Sequence, residues 1–141
     1  MSRITDIADA VVAALNAKTF SVEFTAERAW APSFELADLV DLQVRVIPVT
    51  KETAQDTRDA WADIHEMHMG VMQKLGDVTN TIIDPLVDLV QEIEDFLRGR
   101  AFNSVAVTCE SVEVPVIVAP DYLREKRTFQ SVLVLELKGW R

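Results

Sequence analysis

Apolar and polar positions alternate over Phe129–Leu137, placing Phe129, Ser131, Leu133, Leu135 and Leu137 on one side. Successive strand side chains point to opposite faces, so this spacing predicts a half-buried strand over 128–138. Residues 39–49 repeat the pattern, with Val40, Leu42, Val44 and Val46 against Asp41, Gln43 and Arg45. Pro48 sets the end of that strand at a sheet edge or beyond the ladder, because proline donates no hydrogen bond. Over 62–75, His65, Met67, Met69 and Val71 oppose Ile64, Glu66, His68 and Met72; a strand is expected, weakened or bulged at Gly70. A helix competes there, since methionine and glutamate favour one. Val105, Val107 and Cys109 open another strand over 104–118, whose phase changes near Ser111 and predicts a bulge. Phe20, Val22 and Phe24 alternate ahead of Arg28-Ala29-Trp30 and predict a strand over 20–30, broken at Pro32.

Two segments follow the helical period instead. Ile4, Ile7, Ala8, Val11 and Leu15 predict a helix over 3–17 with Ser2 as N-cap, and Asp6 and Asp9 sit where the helix dipole favours negative charge. Ile82, Leu86, Leu89, Val90, Ile93, Phe96 and Leu97 form the stripe of a longer helix, about 81–98. It begins at Asp84-Pro85 or one turn earlier at Thr79–Thr81, and Gly99 stops it. Residues 50–61 carry no apolar stripe and read as an exposed loop or short helix ending at Trp61, a natural place for contact between subunits. Asp121–Glu125 forms a polar-aromatic elbow into the last strand. The expected class is α+β: one domain over 1–141, with a mixed, mainly antiparallel sheet flanked by the two helices.

Composition narrows the function. The chain has 141 residues, 49% of them hydrophobic, which suits one domain with one core and not a disordered chain. Fourteen Lys and Arg face 23 Asp and Glu, for a net charge of −9. That balance opposes tight phosphate binding but suits a wall that DNA slides past. The single Cys109 excludes an internal disulfide and reads as a small buried hydrophobe. The first residues do not read as a signal peptide, and no run of about 18 apolar residues marks a membrane span. A product free of the membrane at synthesis is expected.

The candidate chemistry is sparse. His65-Glu66-Met67-His68 approaches a metalloprotease helix, but that motif needs histidines four apart on one helical face. In a strand, His65 and His68 point to opposite faces and cannot chelate one ion. Asp88, Glu92 and Asp95 align along the long helix opposite its apolar stripe. They read as a solvated face or as the acidic wall of a DNA path. The four glycines make no phosphate loop, and no serine has a Gly-x-Ser-x-Gly context. No metal, cofactor or catalytic residue is expected. Arg124, Lys126 and Arg127 form a small basic cluster, either turn surface or docking site.

Four stretches carry a family resemblance: Ile4–Val11; Thr25-Ala26-Glu27-Arg28-Ala29-Trp30-Ala31-Pro32; Asp84-Pro85-Leu86 with Glu92–Leu97; and Tyr122–Glu125 with Phe129–Leu133. Together the chain resembles the tail terminator (tail completion, minor tail) proteins of long-tailed bacteriophages over most of its length. The resemblance implies a structural protein of the virion neck, assembled in the host cytoplasm. It implies a homohexameric ring that stops tail-tube growth and offers a surface to the head connector, with no catalytic residue or cofactor. Partners would be its own copies, the tail tube protein and the connector or stopper protein, with DNA as a passing occupant of the channel. A ring subunit needs two unlike patches. Candidate anchors are Arg28, Trp30, Phe34, Trp61 and Tyr122, each with local packing as its competing role, together with Arg124 of the basic cluster and Trp140, which is better placed for docking. Two other readings stay open: a head-side connector or stopper of the same neck, and a stand-alone ligand-binding or regulatory α+β domain with a closed apolar pocket.

Overall fold

The structure, a computed structural model, describes residues 4–30, 41–55, 58 and 60–140, the last by its main chain alone. Along the chain run α1 (Ile4–Ala17), β1 (Thr25–Arg28), β2 (Gln43–Gln55), β3 (Trp61–Lys74), α2 (Asn80–Leu97), β4 (Ala101–Phe102), β5 (Val107–Val116), α3 (Pro120–Lys126) and β6 (Thr128–Trp140). The strands form one sheet in the order β1-β2-β3-β6-β5-β4. Among the described residues only β1 and β2 are parallel and every other pair is antiparallel, so the domain is α+β with a mixed, mainly antiparallel sheet. The N-cap at Ser2, the break at Pro32, Phe34 and the first two residues of the strand expected over 39–49, Leu39 and Val40, lie outside the described residues.

The core follows from the alternation. Phe129, Ser131, Leu133, Leu135 and Leu137 of β6 are all fully buried, beside Met67, Met69 and Val71 of β3 and Val44 and Val46 of β2. Ile7, Ala8, Val11 and Leu15 of α1 and Leu86, Leu89, Val90, Ile93 and Leu97 of α2 join the same cluster. Each large aliphatic or aromatic side chain buried there contributes roughly 1.5–3 kcal/mol. The opposite positions, Arg45, His68, Val132, Val134 and Lys138 among them, keep partial exposure, so the sheet's two faces differ as the alternation requires. Ser131 is the polar exception, and its Oγ donates to the Val116 carbonyl at 3.0 Å.

Several expectations are corrected. The strand expected over 20–30 shrinks to β1, while Phe20 and Phe24 lie ahead of it with ring centroids 5.3 Å apart. Phe20 also meets Phe96 edge-on at 5.6 Å, so these alternating rings plug the end of the helix layer without a ladder. Residues 50–55 are not loop or helix but the second half of β2, paired from Thr50↔Glu66 to Gln55↔Trp61. A hairpin arm exposed to water leaves no apolar stripe to read. Pro48 does not end β2; the strand passes it with a register shift between Pro48 and Thr50. Gly70 sits in regular register with Arg45 and Val132, so the irregularity belongs to the neighbouring strand. Of the two starts considered for α2, the earlier is observed, with Thr79 as N-cap and Pro85 inside the helix. Gly99 ends it at φ 75°, where a side chain would be strained.

The strand expected over 104–118 begins only at Val107, because 103–106 form a turn. Its phase change is real: the β5–β6 register shifts between Cys109 and Ser111 and again before Val116. The turn lies over Gly139 of β6, where an added Cβ would stand 2.8 Å from the Ala106 carbonyl oxygen and 2.9 Å from Val107 Cγ1. Gly139→Ala is therefore expected to destabilise the fold by about 1–3 kcal/mol, the usual range for overpacking. Urea unfolding checks this; a midpoint equal to that of the unaltered protein counts against the close approach.

Candidate functional site

The sequence-derived anchors do not converge on one site. Arg28 and Trp30 meet: the guanidinium lies 5.6 Å from the indole ring, and Arg28 Nε is 3.1 Å from Asp9 Oδ1 on α1. Trp30 is nevertheless 65% exposed, so this cation–π contact leaves most of its surface open. Trp61 starts β3 opposite Gln55 and is 48% exposed. Tyr122 and Arg124 share α3, at the other end of β6. Lys126 Nζ stands 5.1 Å from the Tyr122 ring, and Arg124 Nη2 is 3.0 Å from Asp121 Oδ1. That last pair is exposed on both sides and contributes little to stability. The Trp140 main chain pairs with Ala62, beside Trp61; its side chain and the whole of Phe34 lie outside what the structure describes.

The acidic face of α2 is only partly bare. Asp88 is exposed, but Asp95 accepts from Arg98 Nη2 at 2.8 Å and from Gln91 Nε2 at 3.0 Å. Glu92 accepts from the Ser21 amide at 3.3 Å and from the Ser21 hydroxyl, so it holds the segment after α1 against α2. Lys18 and Arg100 stand over the Phe96 ring at 5.5 and 3.9 Å. Two open grooves of about 400 Å³ share Lys18; one is lined by residues 15, 16 and 18–24 and the other by Glu92, Asp95, Phe96 and Arg100. Positive and negative groups thus alternate around the C-terminal end of α2, while acidic charge prevails toward Asp88.

The strand reading of 62–75 separates the two histidines. His68 faces the partly exposed side, with Nε2 3.6 Å from Glu66 Oε2. His65 is buried in the core layer. Its Nδ1 meets no hydrogen-bond partner among the described residues. Asp63, two positions earlier on the same face, is also buried and accepts from Thr53 Oγ1 at 2.6 Å. Among the described residues, no group of three or more His, Cys, Asp or Glu is placed to hold a metal ion, and no helix is long and apolar enough to cross a membrane. Cys109 is fully buried, as its strand pattern required. Burial, then the Glu136 charge, pushes its thiol from 9.0 up to about 11.

Sequence reasoning missed four exposed apolar residues: Val49 in the outer half of β2, Val78, Ile82 and Ile117. Ile82 fits the apolar stripe of α2, yet it belongs to the first turn, beyond the body that the stripe packs on. Val78 and Ile117 lie outside regular elements, where periodicity carries no information. Compared with known proteins, the chain matches no family model and no curated protein.

Burial depresses the His65 imidazole below its ordinary 6.5; Asp63 opposes this and Lys51 adds to it. The folded state therefore binds this proton less readily than the unfolded state. Stability is fully present above pH 6.5, falls as pH drops below it, and levels off under the depressed value. Thermal melts between pH 7.5 and 5.5 are expected to show this slope, and His65→Gln to flatten it; an equal slope in the variant would refute the assignment. The Cys109 thiol is expected to react with an aromatic disulfide reagent at pH 8 only after denaturant unfolds the chain. Rapid reaction of the native protein would contradict its burial.

Proposed function

We propose that this protein is a structural component of a phage neck, a tail terminator that closes into a ring on the last tube layer. The ring replaces the tube's elongation surface and offers a new face to the head connector. The observation that carries this reading is the distribution of exposed large apolar side chains around a closed core. Trp30, Trp61, Ile117 and Tyr122 stay in water while every inward position of β6 is filled. Side chains of this kind concentrate binding energy when a partner desolvates them. They also occur at separate places on the domain, as a ring subunit requires, because its two contacts use different patches.

Capping needs shape and contact, with no group transferred. The opposed faces of β3 and the mixed charges around α2 are compatible with that role. Acidic residues exposed along α2, Asp88 among them, would repel phosphate if that face lined the channel, so DNA would pass without lodging.

Dilute protein is expected to be monomeric or weakly associated. Six-fold rings are expected at high concentration, or on tubes assembled from the tail protein of the same phage. Electron microscopy of the protein with growing tubes checks this: tubes should stop lengthening, with a ring at one end. Tubes that grow undisturbed, without bound protein and without rings in solution, would end the proposal.

A further inference from the structure

Among the described residues, Asp63 and His65 are the only acid and the only base that the fold buries, each 1% exposed. Both lie on the core face of β3, in the arm where β2 and β3 run out to their hairpin. Lys51 stands opposite His65 on β2 and Leu137 opposite it on β6; Cys109 of β5 continues the row beyond Leu137. Thr53 stands opposite Asp63, and the 2.6 Å bond between their side chains joins the two strands of the arm. No described residue from 49 to 65 belongs to the apolar core cluster, whose nearest members on the two strands are Val46 and Met67. Ala62 is the one apolar side chain buried among the described residues of the arm. Fraying the arm from its tip to His65 therefore gives up ladder hydrogen bonds, which water replaces, and little apolar burial. Segments of that kind open at far lower cost than the whole fold.

The closed arm suits a neutral ring. His65 Nδ1 meets no partner among the described residues, so an imidazolium, which donates from both nitrogens, would carry an unsatisfied N–H. Few charges act on it. Asp63 on its own strand favours the imidazolium and Lys51 across on β2 opposes it. β6 presents Leu137, with Glu136 and Lys138 turned to the other face, and β5 presents Cys109, whose thiol burial pushes up to about 11. The C-terminal end of α2 reaches the same row, since the Gly99 amide donates to the Cys109 carbonyl. There Arg98 pairs with Glu94 and Asp95, and Arg100 lies over the Phe96 ring. Desolvation outweighs Asp63, so the closed ring takes its proton only below the ordinary 6.5. An opened ring titrates near 6.5, and opening therefore gains as pH falls below that value.

We propose that this arm is an acid-sensitive latch: protonation of His65 frays β2 and β3 from the hairpin down to that residue, while the sheet from Met67 inward stays closed. Met67, Met69 and Val71, all fully buried, set the limit of the opening. Acid then raises the population of a domain that is closed through its core and open at the end that carries Trp61. The latch does not depend on the ring reading.

Hydrogen–deuterium exchange of the dilute protein at pH 7.5 and 5.5 tests it, with labelling times scaled to the intrinsic exchange rate at each pH. Ladder amides within 51–54 and 62–65 should be at least about tenfold less protected than those of 67–71 and 131–135, because they exchange by fraying. Low urea should speed exchange in the core and leave the arm unaffected, since fraying exposes little surface. Acidification should lower the arm's protection several-fold, with a ceiling of about tenfold set by a ring that titrates at 6.5 once open. His65→Gln should abolish this acid response, and His68→Gln, at the histidine of the other face, should preserve it. Should His65→Gln melt early, His65→Asn takes its place, and the urea dependence of the unaltered protein still decides between arm and whole fold. Four results overturn the latch: arm amides as protected and as urea-sensitive as the core, arm protection indifferent to pH, an acid response that survives in the His65 variant, or one that vanishes in His68→Gln. None of them bears on the terminator reading, which stands or falls on the tubes.

Discussion

The ladder between β3 and β6 is the constraint on which the other elements depend. It runs unbroken from Ala62↔Trp140 to Lys74↔Thr128 and sets Met67, Met69 and Val71 beside Leu135, Leu133 and Ser131. A slip of one residue would turn every one of these to the other face, because side chains alternate with a period of two. Both principal helices bury their apolar stripes on the surface this register creates. The Ser131 hydroxyl adds a polar constraint inside it. Its bond to the Val116 carbonyl satisfies a buried group and ties β5 to β6 just where the β5–β6 register shifts.

Lengths then decide what is left uncovered. The 14 residues of β3 span about 46 Å at 3.3 Å each, whereas the 18 residues of α2 span about 27 Å. The strands outrun the helix layer. At the Trp61 end the overhang is handled in two ways. The turn at 103–106 folds down on Gly139, with Ala106 held at φ 54° to make the approach. The outer half of β2 is exposed from Val49 to Thr53 and polar from Thr50 on. Asp63 pairs with Gly139 and His65 with Leu137 at this end, so a carboxylate and an imidazole are buried two positions apart on the core face.

The same mismatch gives the domain two distinct ends. One end is a hairpin with its backbone paired and a tryptophan in water. The other is where α2 begins and α3 turns the chain back into β6, with Arg127 in the left-handed region closing the turn. Neither end resembles the other, and the free strand edges between them are interrupted by proline.

The alternation over 129–137 and the helical spacing over 4–15 and 82–97 were legible directly, because each stripe must bury one face against a core. So were the phase change near Ser111 and the glycine stop at 99, where one residue type or one break in period has a local cause. What the tertiary structure alone decided was the fate of residues that satisfy no period of their own. The polar run 50–55 became a strand because β3 supplied partners for its backbone. Phe20 and Phe24 became a plug because Phe96 stood within reach. Pro48 was tolerated inside a strand because a bulge at an outer edge spares it a donor. Whether Trp30 and Trp61 lie in core or in water also belonged to the assembled fold: an indole carries the same sequence signal in either place, and only the positions of its neighbours determine which surface it leaves open.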